Sequence, residues 1–353
     1  HRLHLPSATI SDLSFKNVDF AMNLYRKISS FHDKNIFFSP LSISASFAAL
    51  LMGSDGVTYE EILEGLNLHQ LEQDGQPEVI PGLFKLLSDN ITQNGSLQLE
   101  QGMALFINTD FMVEKTFNEQ LKTFFDADIK SANFADSMGT VKLINEYFKS
   151  KTHDKISDVV SSVDSRTRKV SLCLLSFQIK MWTTLKLMTR SPQTGSSDRP
   201  KGYRKRRFSK DPALSPTFLD MSKASLIVVC EIDKVCVYVH SKLEVNLPKF
   251  KMEQSYRLHE ILPDVGMASI FDNSANLTKL SKDQGLKVSE VLHKAVIEVD
   301  ETGTIAAAVT AVGITPFSLP RTFFVNRPFF FFIYHEKTNC MLFMGRVIDP
   351  TKD

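Results

Sequence analysis

Glu301-Thr302-Gly303-Thr304-Ile305-Ala306-Ala307-Ala308-Val309-Thr310-Ala311-Val312-Gly313-Ile314-Thr315-Pro316-Phe317-Ser318 decides the fold, because its composition suits a strand and its setting suits a loop. Connecting segments normally sit in water and are polar. Small and β-branched residues instead fit the pleated, half-buried surface of a sheet. Extended, the run would place Thr304, Ala306, Ala308, Thr310, Val312 and Ile314 on one face, since side chains alternate along a strand. That face carries no charge, so it could enter a sheet without the cost of burying an unpaired ion. Two readings stay open on these residues alone: a permanently buried strand, and a segment able to live both in water and in a sheet.

Downstream lies Phe323-Phe324-Val325-Asn326-Arg327-Pro328-Phe329-Phe330-Phe331-Phe332-Ile333, an Asn-basic-Pro-Phe step into an apolar strand. Upstream lie Asn35-Ile36-Phe37-Phe38-Ser39-Pro40, Asn145 followed by Thr152-His153-Asp154-Lys155-Ile156, and Leu286-Lys287-Val288-Ser289 leading into His293-Lys294-Ala295. These landmarks, in this order, resemble the serpins. Leu24-Tyr25-Arg26-Lys27-Ile28-Ser29, Gly82-Leu83-Phe84-Lys85, Glu114-Lys115-Thr116-Phe117 and Phe250-Lys251-Met252-Glu253-Gln254 resemble a branch of that family active in blood coagulation.

The resemblance covers residues 15–170 and 241–350 and implies one metastable α+β domain spanning 1–353. A helix-rich N-terminal part would lie on a large central β-sheet accompanied by further sheets, with an exposed reactive loop. It implies a suicide substrate for a serine protease. The loop is cut, and its hinge side then enters the large sheet as a new strand while the protease is still held as a covalent acyl complex. On the family layout Glu301, Gly303, Thr304 and Ala306-Ala307-Ala308 form the hinge, with Ile305 where inhibitory members usually carry glutamate. Gly303 stands fifteen residues before the reactive bond, which falls at Phe317-Ser318. An aromatic Phe317 suits an apolar specificity pocket, where burying a ring removes roughly 150–250 Å² from water. The expected target is therefore coagulation factor Xa or another chymotrypsin-fold protease. The alternatives are a non-inhibitory family member acting as a carrier or binding protein, and a defective product.

The remaining sequence narrows the partners. Forty-one Lys and Arg against forty Asp and Glu give a net charge of +1, no general pull toward nucleic acid or anionic lipid. No run of about 18 apolar residues is present, so no membrane association is expected. The chain begins at His1 without an apolar leader, and a processed or truncated N-terminus is expected. Sequons at Asn90, Asn94 and Asn276 make these residues glycosylation candidates and accord with the secretion the resemblance implies. Pro81 to Asn90 offers only Lys85, so heparin is not an expected partner. The protein Z surface of the coagulation branch falls largely in a region without counterpart here, which argues against protein Z. A monomer is expected.

No metal-ligand spacing, phosphate-cradling glycine loop or hydrolase elbow occurs, so the chain is read as no enzyme and without cofactors. Ser39 and His293 are read as a helix cap and a strand-end residue.

Periodicity predicts helices over 15–28, from Pro40 to a left-handed Gly53, and over 59–66, 81–90, 112–125, 141–149 and 256–262. It predicts strands over 97–107 and around 243–247, a strand beginning at Ala295, Ile297 and Val299, and a C-terminal hairpin turning at Glu336 to Asn339. Between 170 and 240 the resemblance fails. Apart from Phe177 to Trp182, which resembles a family strand end, the stretch reads as disordered or misassembled, with a Ser191 to Ser197 linker. Seven basic residues between Arg199 and Lys210 leave open a solvated run, a dibasic cleavage site or a polyanion contact.

Overall fold

The computed structural model describes residues 8–73, 75–92, 99–151, 153, 158–163, 172–180, 217–221, 224–229, 243–246, 248, 250–299, 321–325, 327–335 and 337–352. The helices are α1 (Ile10–Phe31), α2 (Pro40–Gly53), α3 (Gly56–Gly65), α4 (Val79–Thr92), α5 (Lys115–Phe125) and α6 (Ser137–Lys151). The strands are β1 (Ile36–Phe38), β2 (Leu99–Asn108), β3 (Asp128–Ala132), β4 (Leu172–Lys180), β5 (Thr217–Met221) and β6 (Ala224–Val229). They continue with β7 (Leu243–Asn246), β8 (Phe250–Arg257), β9 (Val288–Val299), β10 (Arg321–Phe324), β11 (Phe329–His335) and β12 (Cys340–Val347). Helices crowd the first part and strands the second, an α+β arrangement.

Helix α1 starts where Thr9 and Asp12 exchange hydrogen bonds, Asp12 N–H to the Thr9 hydroxyl at 3.2 Å and Thr9 N–H to the Asp12 carboxylate at 2.8 Å. It buries Leu13, Phe20, Leu24 and Ile28 along one stripe. Helix α2 is capped as predicted, the Ser39 hydroxyl accepting the Ser42 N–H at 3.2 Å with Pro40 in the first turn. Gly53 does not take the left-handed conformation predicted for it; it is the last residue of α2, and Ser54 follows with φ of −98°. Its small size is needed for another reason. A Cβ there would stand 2.9 Å from the Leu280 Cβ and 3.0 Å from a Phe117 ring carbon, and the Gly53 carbonyl accepts the Lys279 and Leu280 N–H groups.

The predicted aromatic hairpin forms β11 and β12, with Asn339 left-handed at its turn (φ 52°). In β11 alternate residues Phe329, Phe331 and Ile333 are buried. The Phe37 ring stacks between Phe331 at 5.8 Å and Phe343 at 5.1 Å. Gly345 faces Phe331 across the ladder, and any Cβ would run into that ring. Asn35 fastens the chain end to this layer, its carbonyl accepting the Ile348 and Asp349 N–H groups and its amide donating to the Asp349 and Lys352 carbonyls.

The strands make a five-stranded sheet in the order β1-β12-β11-β6-β5, a parallel β7/β10 pair, and a second five-stranded sheet in the order β3-β2-β4-β9-β8. Strands β4, β5 and β6 come from the stretch expected to be atypical, and β4 is paired on both sides. The basic run from Arg199 to Lys210 and the linker from Ser191 lie outside the described residues.

Two predicted boundaries are corrected. Tyr256 belongs to β8 and not to a helix, because its backbone pairs with His293 of β9; only 3-10 turns follow, at Leu258–Glu260 and Leu262–Val265. Ala295, Ile297 and Val299 close β9, which begins at Val288, because pairing with β4 and β8 outweighs the weak local pattern of its first residues.

Candidate functional site

Strands β4 and β9 are distant in sequence and adjacent in space. They run parallel, from Leu172 opposite Val288 to Lys180 opposite Ile297, with nothing between them. Every other neighbour of either strand is antiparallel: β2 beside β4 and β8 beside β9. Parallel ladders are slightly less stable per residue than antiparallel ones. The seam is therefore the place where this half of the sheet has something to gain from rearranging.

The seam has two differently furnished faces. On the rear face Val291, His293, Ala295 and Ile297 of β9 are buried in the main core, beside Met103, Leu105 and Ile107 of β2. His293 is fully buried, and its Nε2 accepts the main-chain N–H of Ser39 at 3.0 Å. Its register partner Tyr256 accepts the Phe37 N–H through its hydroxyl at 3.2 Å. Two side chains of adjacent strands thus hold the main chain where β1 passes into α2. Burial pushes the His293 pKa down to about 3, so the ring is neutral and free to accept. Near the start of β9, His259 Nδ1 accepts the Val291 N–H at 3.2 Å, and burial lowers its pKa as well.

On the front face Ala104 and Phe106 of β2, Ala132 and Phe134 pack against Ile144 and Phe148 of α6. Val160 and Val163 extend this cover to Leu292 and Val296 of β9. Asn145 of α6 binds the covering loop three times: it accepts the Val159 and Val160 N–H groups at 2.9 and 3.0 Å and donates to the Val160 carbonyl at 2.8 Å. From β9, Lys294 Nζ reaches the Glu253 carboxylate at 2.6 Å and the Asp158 carbonyl at 3.2 Å.

Ser39 and His293, the pair that could pass for nucleophile and base, do meet. The contact is a main-chain N–H to a ring nitrogen, and both residues are sealed from solvent. The reading of His293 as a strand-end residue is corrected: it lies mid-strand. The alternation Val291, His293, Ala295, Ile297 was the available signal for its buried position.

The reactive-bond residues Phe317 and Ser318, the hinge residues Glu301, Gly303, Thr304, Ala306, Ala307 and Ala308, and the sequon at Asn94 lie outside the described residues. Their flanks are described: β9 ends at Val299, and β10 at Arg321–Phe324 pairs with β7 in a different sheet. Asn90 is exposed on α4 and donates to the Leu86 carbonyl. Asn276 lies in a loop, its carbonyl oxygen accepting the Thr278 hydroxyl at 2.8 Å. Lys85, the one basic residue of the predicted 81–90 helix, is paired with Asp89 at 2.9 Å. Among the described residues no helix is long and apolar enough to cross a membrane, and no group of three or more His, Cys, Asp or Glu side chains could hold a metal ion.

Against known proteins, the serpin (serine protease inhibitor) family model matches residues 15–192 and 233–350. The protein Z-dependent protease inhibitor of Mus musculus is 34% identical over 369 residues, covering 96% of this chain and 82% of the relative. The crystal structure of the mouse protein Z-dependent protease inhibitor superposes with a TM-score of 0.81 at 31% identity, covering 97% of this chain and 98% of that one. Human thyroxine-binding globulin, solved in complex with its hormone, also gives a TM-score of 0.81 at 26% identity, covering 97% and 100%.

Proposed function

The chain belongs to the serpin family, and from that premise we propose that it inhibits a chymotrypsin-fold serine protease as a suicide substrate cleaved at Phe317-Ser318. The observation that carries the reading is the parallel β4/β9 seam, whose strand β9 ends at Val299, three residues before the uncharged run that begins at Thr302.

Geometry supplies the driving force. After cleavage the segment can turn back at 300–303, where Gly303 serves as hinge, and run antiparallel to β9. It is then antiparallel to β4 too, because β4 and β9 are parallel. One parallel pairing would be replaced by two antiparallel ones. Residues 304–314, extended, span about 36 Å at roughly 3.3 Å per residue, against about 30 Å for the nine paired positions of the seam. The small, uncharged face of Thr304, Ala306, Ala308 and Thr310 would meet the apolar layer on one side of the sheet. The covalently held protease would be carried along and distorted before the acyl bond could be hydrolysed.

Phe317 selects a protease with an apolar specificity pocket, and coagulation factor Xa is the proposed target because the chain's relatives include protein Z-dependent protease inhibitors. Secretion as a monomeric glycoprotein, carrying glycans at Asn90, Asn94 or Asn276, accompanies this reading, with no catalytic activity of its own. The likeness to thyroxine-binding globulin supports a second reading, a carrier that does not trap proteases.

Incubation with chymotrypsin and with factor Xa, followed by denaturing electrophoresis, separates the two. The inhibitor gives a band at the summed mass. Cleavage without that band favours the carrier and overturns the proposal.

A further inference from the structure

We propose that Asn276 carries an N-linked glycan and that Asn90, which bears the same Asn-x-Thr motif, stays bare; this rests on the secretion reading above. In the transfer the carboxamide nitrogen bonds to C1 of the first sugar, C1 parts from the pyrophosphate of a lipid-linked oligosaccharide, and the displaced amide proton goes to a base of the transferase. The nitrogen must therefore be uncommitted, and the hydroxyl two residues on must be able to stand beside the Asn side chain. The two sequons differ in both respects.

At Asn276 the polar groups of the motif meet. The side-chain oxygen accepts the Thr278 hydroxyl at 2.8 Å and the Thr278 N–H at 3.4 Å, a local turn that needs only three residues to form. With the oxygen so engaged, Nδ2 has no hydrogen-bond partner among the described residues. It stands over Gly56, which is exposed and left-handed (φ 53°); a Cβ placed there would lie 3.5 Å from Nδ2 and meet nothing else within 4 Å. No side chain therefore occupies the ground beneath the amide, and a sugar has room. The main chain is meanwhile pinned: the Asn276 carbonyl accepts the Asp55 N–H at 3.0 Å, its N–H donates to the Thr58 hydroxyl at 3.0 Å, and Leu277 and Leu280 on either side of the turn are buried. A bulky substituent can leave from this loop without disturbing what holds it.

At Asn90 the motif is wound into the last turns of α4. Side chains two residues apart on a helix do not face each other, so the Thr92 hydroxyl cannot serve Asn90. It donates instead to the Ser88 carbonyl at 2.9 Å, and the Asn90 amide nitrogen is spent on the Leu86 carbonyl at 2.8 Å. Ile91 between them is buried in the main core, so the segment cannot unwind once α4 has docked. Exposure alone would favour Asn90; the geometry of the amide and hydroxyl favours Asn276.

The test expresses the full chain behind a secretory leader in cultured animal cells. Peptides of the secreted protein are treated with an amidase that removes N-glycans in heavy-oxygen water, which turns each occupied Asn into a labelled Asp that mass spectrometry reads site by site. Asn276 labelled in most molecules and Asn90 in few is the expected result. Thr278→Ala should lose the mass of one glycan from the intact protein, Thr278→Ser should keep it, and Asn90→Gln should leave the mass of the glycans unchanged. Asn276 unlabelled, or Asn90 labelled as often as Asn276, overturns the proposal, and so does a Thr278→Ala protein that keeps its full glycan mass. If the chain reaches the medium with both residues bare, secretion stands and the proposal falls. If it stays in the cells without sugar, the secretion reading and the proposal fall together.

Discussion

Acidification should loosen this molecule through His293, by an amount that follows from its surroundings. The folded pKa of about 3 lies well below the ordinary histidine value of 6.5, because the ring is wholly buried and its Nε2 is committed to the Ser39 N–H. With a depressed folded value, the unfolded chain binds a proton below pH 6.5 that the folded chain refuses until about pH 3. Stability is therefore lost as pH falls through that window. Linkage gives a loss of about 2 kcal/mol between pH 7.5 and 5, and about 3 kcal/mol by pH 4. Tyr256, the neighbouring titratable group on β8, is neutral throughout, since burial raises its pKa. His259 is also lowered by burial and adds to the same slope, so the comparison must keep it in place. His293→Gln retains an acceptor for the Ser39 N–H and removes the titration. Urea unfolding of wild type and variant at pH 7.5, 6 and 5 should show wild type losing about 2 kcal/mol more than the variant. Equal slopes would refute the claim that the buried neutral imidazole holds the β1/α2 junction against β9.

Other substitutions test the packing and the proposed insertion. Phe331→Ala removes a fully buried ring stacked on Phe37 and should cost about 3–5 kcal/mol in the same urea assay. Gly53→Val forces a Cβ against Leu280 and Phe117 and should destabilise by about 1–3 kcal/mol, with no gain from the lost glycine freedom. Thr304→Arg places a charge on the face that would be buried on insertion, at a cost of several kcal/mol if unpaired. Covalent complex on denaturing gels should disappear while cleavage at Phe317-Ser318 continues; persistence of the complex would remove loop insertion as the mechanism.

Local chemistry made much of the architecture legible in the residues themselves. Ser39-Pro40 fixed the start of α2 because a hydroxyl acceptor and a missing N–H suit a first helical turn wherever it occurs. The aromatic run fixed the β11/β12 hairpin because its alternation and turn lie within one short stretch. Asn35, Asn145 and His293 stood out as landmarks, yet what each does became visible only when distant main chain arrived beside it: the C-terminus, residues 159–160 and the start of α2. Gly53 was misread for the same reason. Its neighbours Leu280 and Phe117 come from elsewhere in the chain, and no local pattern announces a close approach. Tyr256 followed a short apolar pattern that fits helix or strand, and the ladder with β9 chose between them. The composition of 304–314 left two readings open, a permanently buried strand and a segment suited to both water and a sheet, and these residues lie outside the described ones. That β4 and β9 lie side by side and parallel was decided by tertiary structure, because pairing between strands over a hundred residues apart depends on the whole core closing around them.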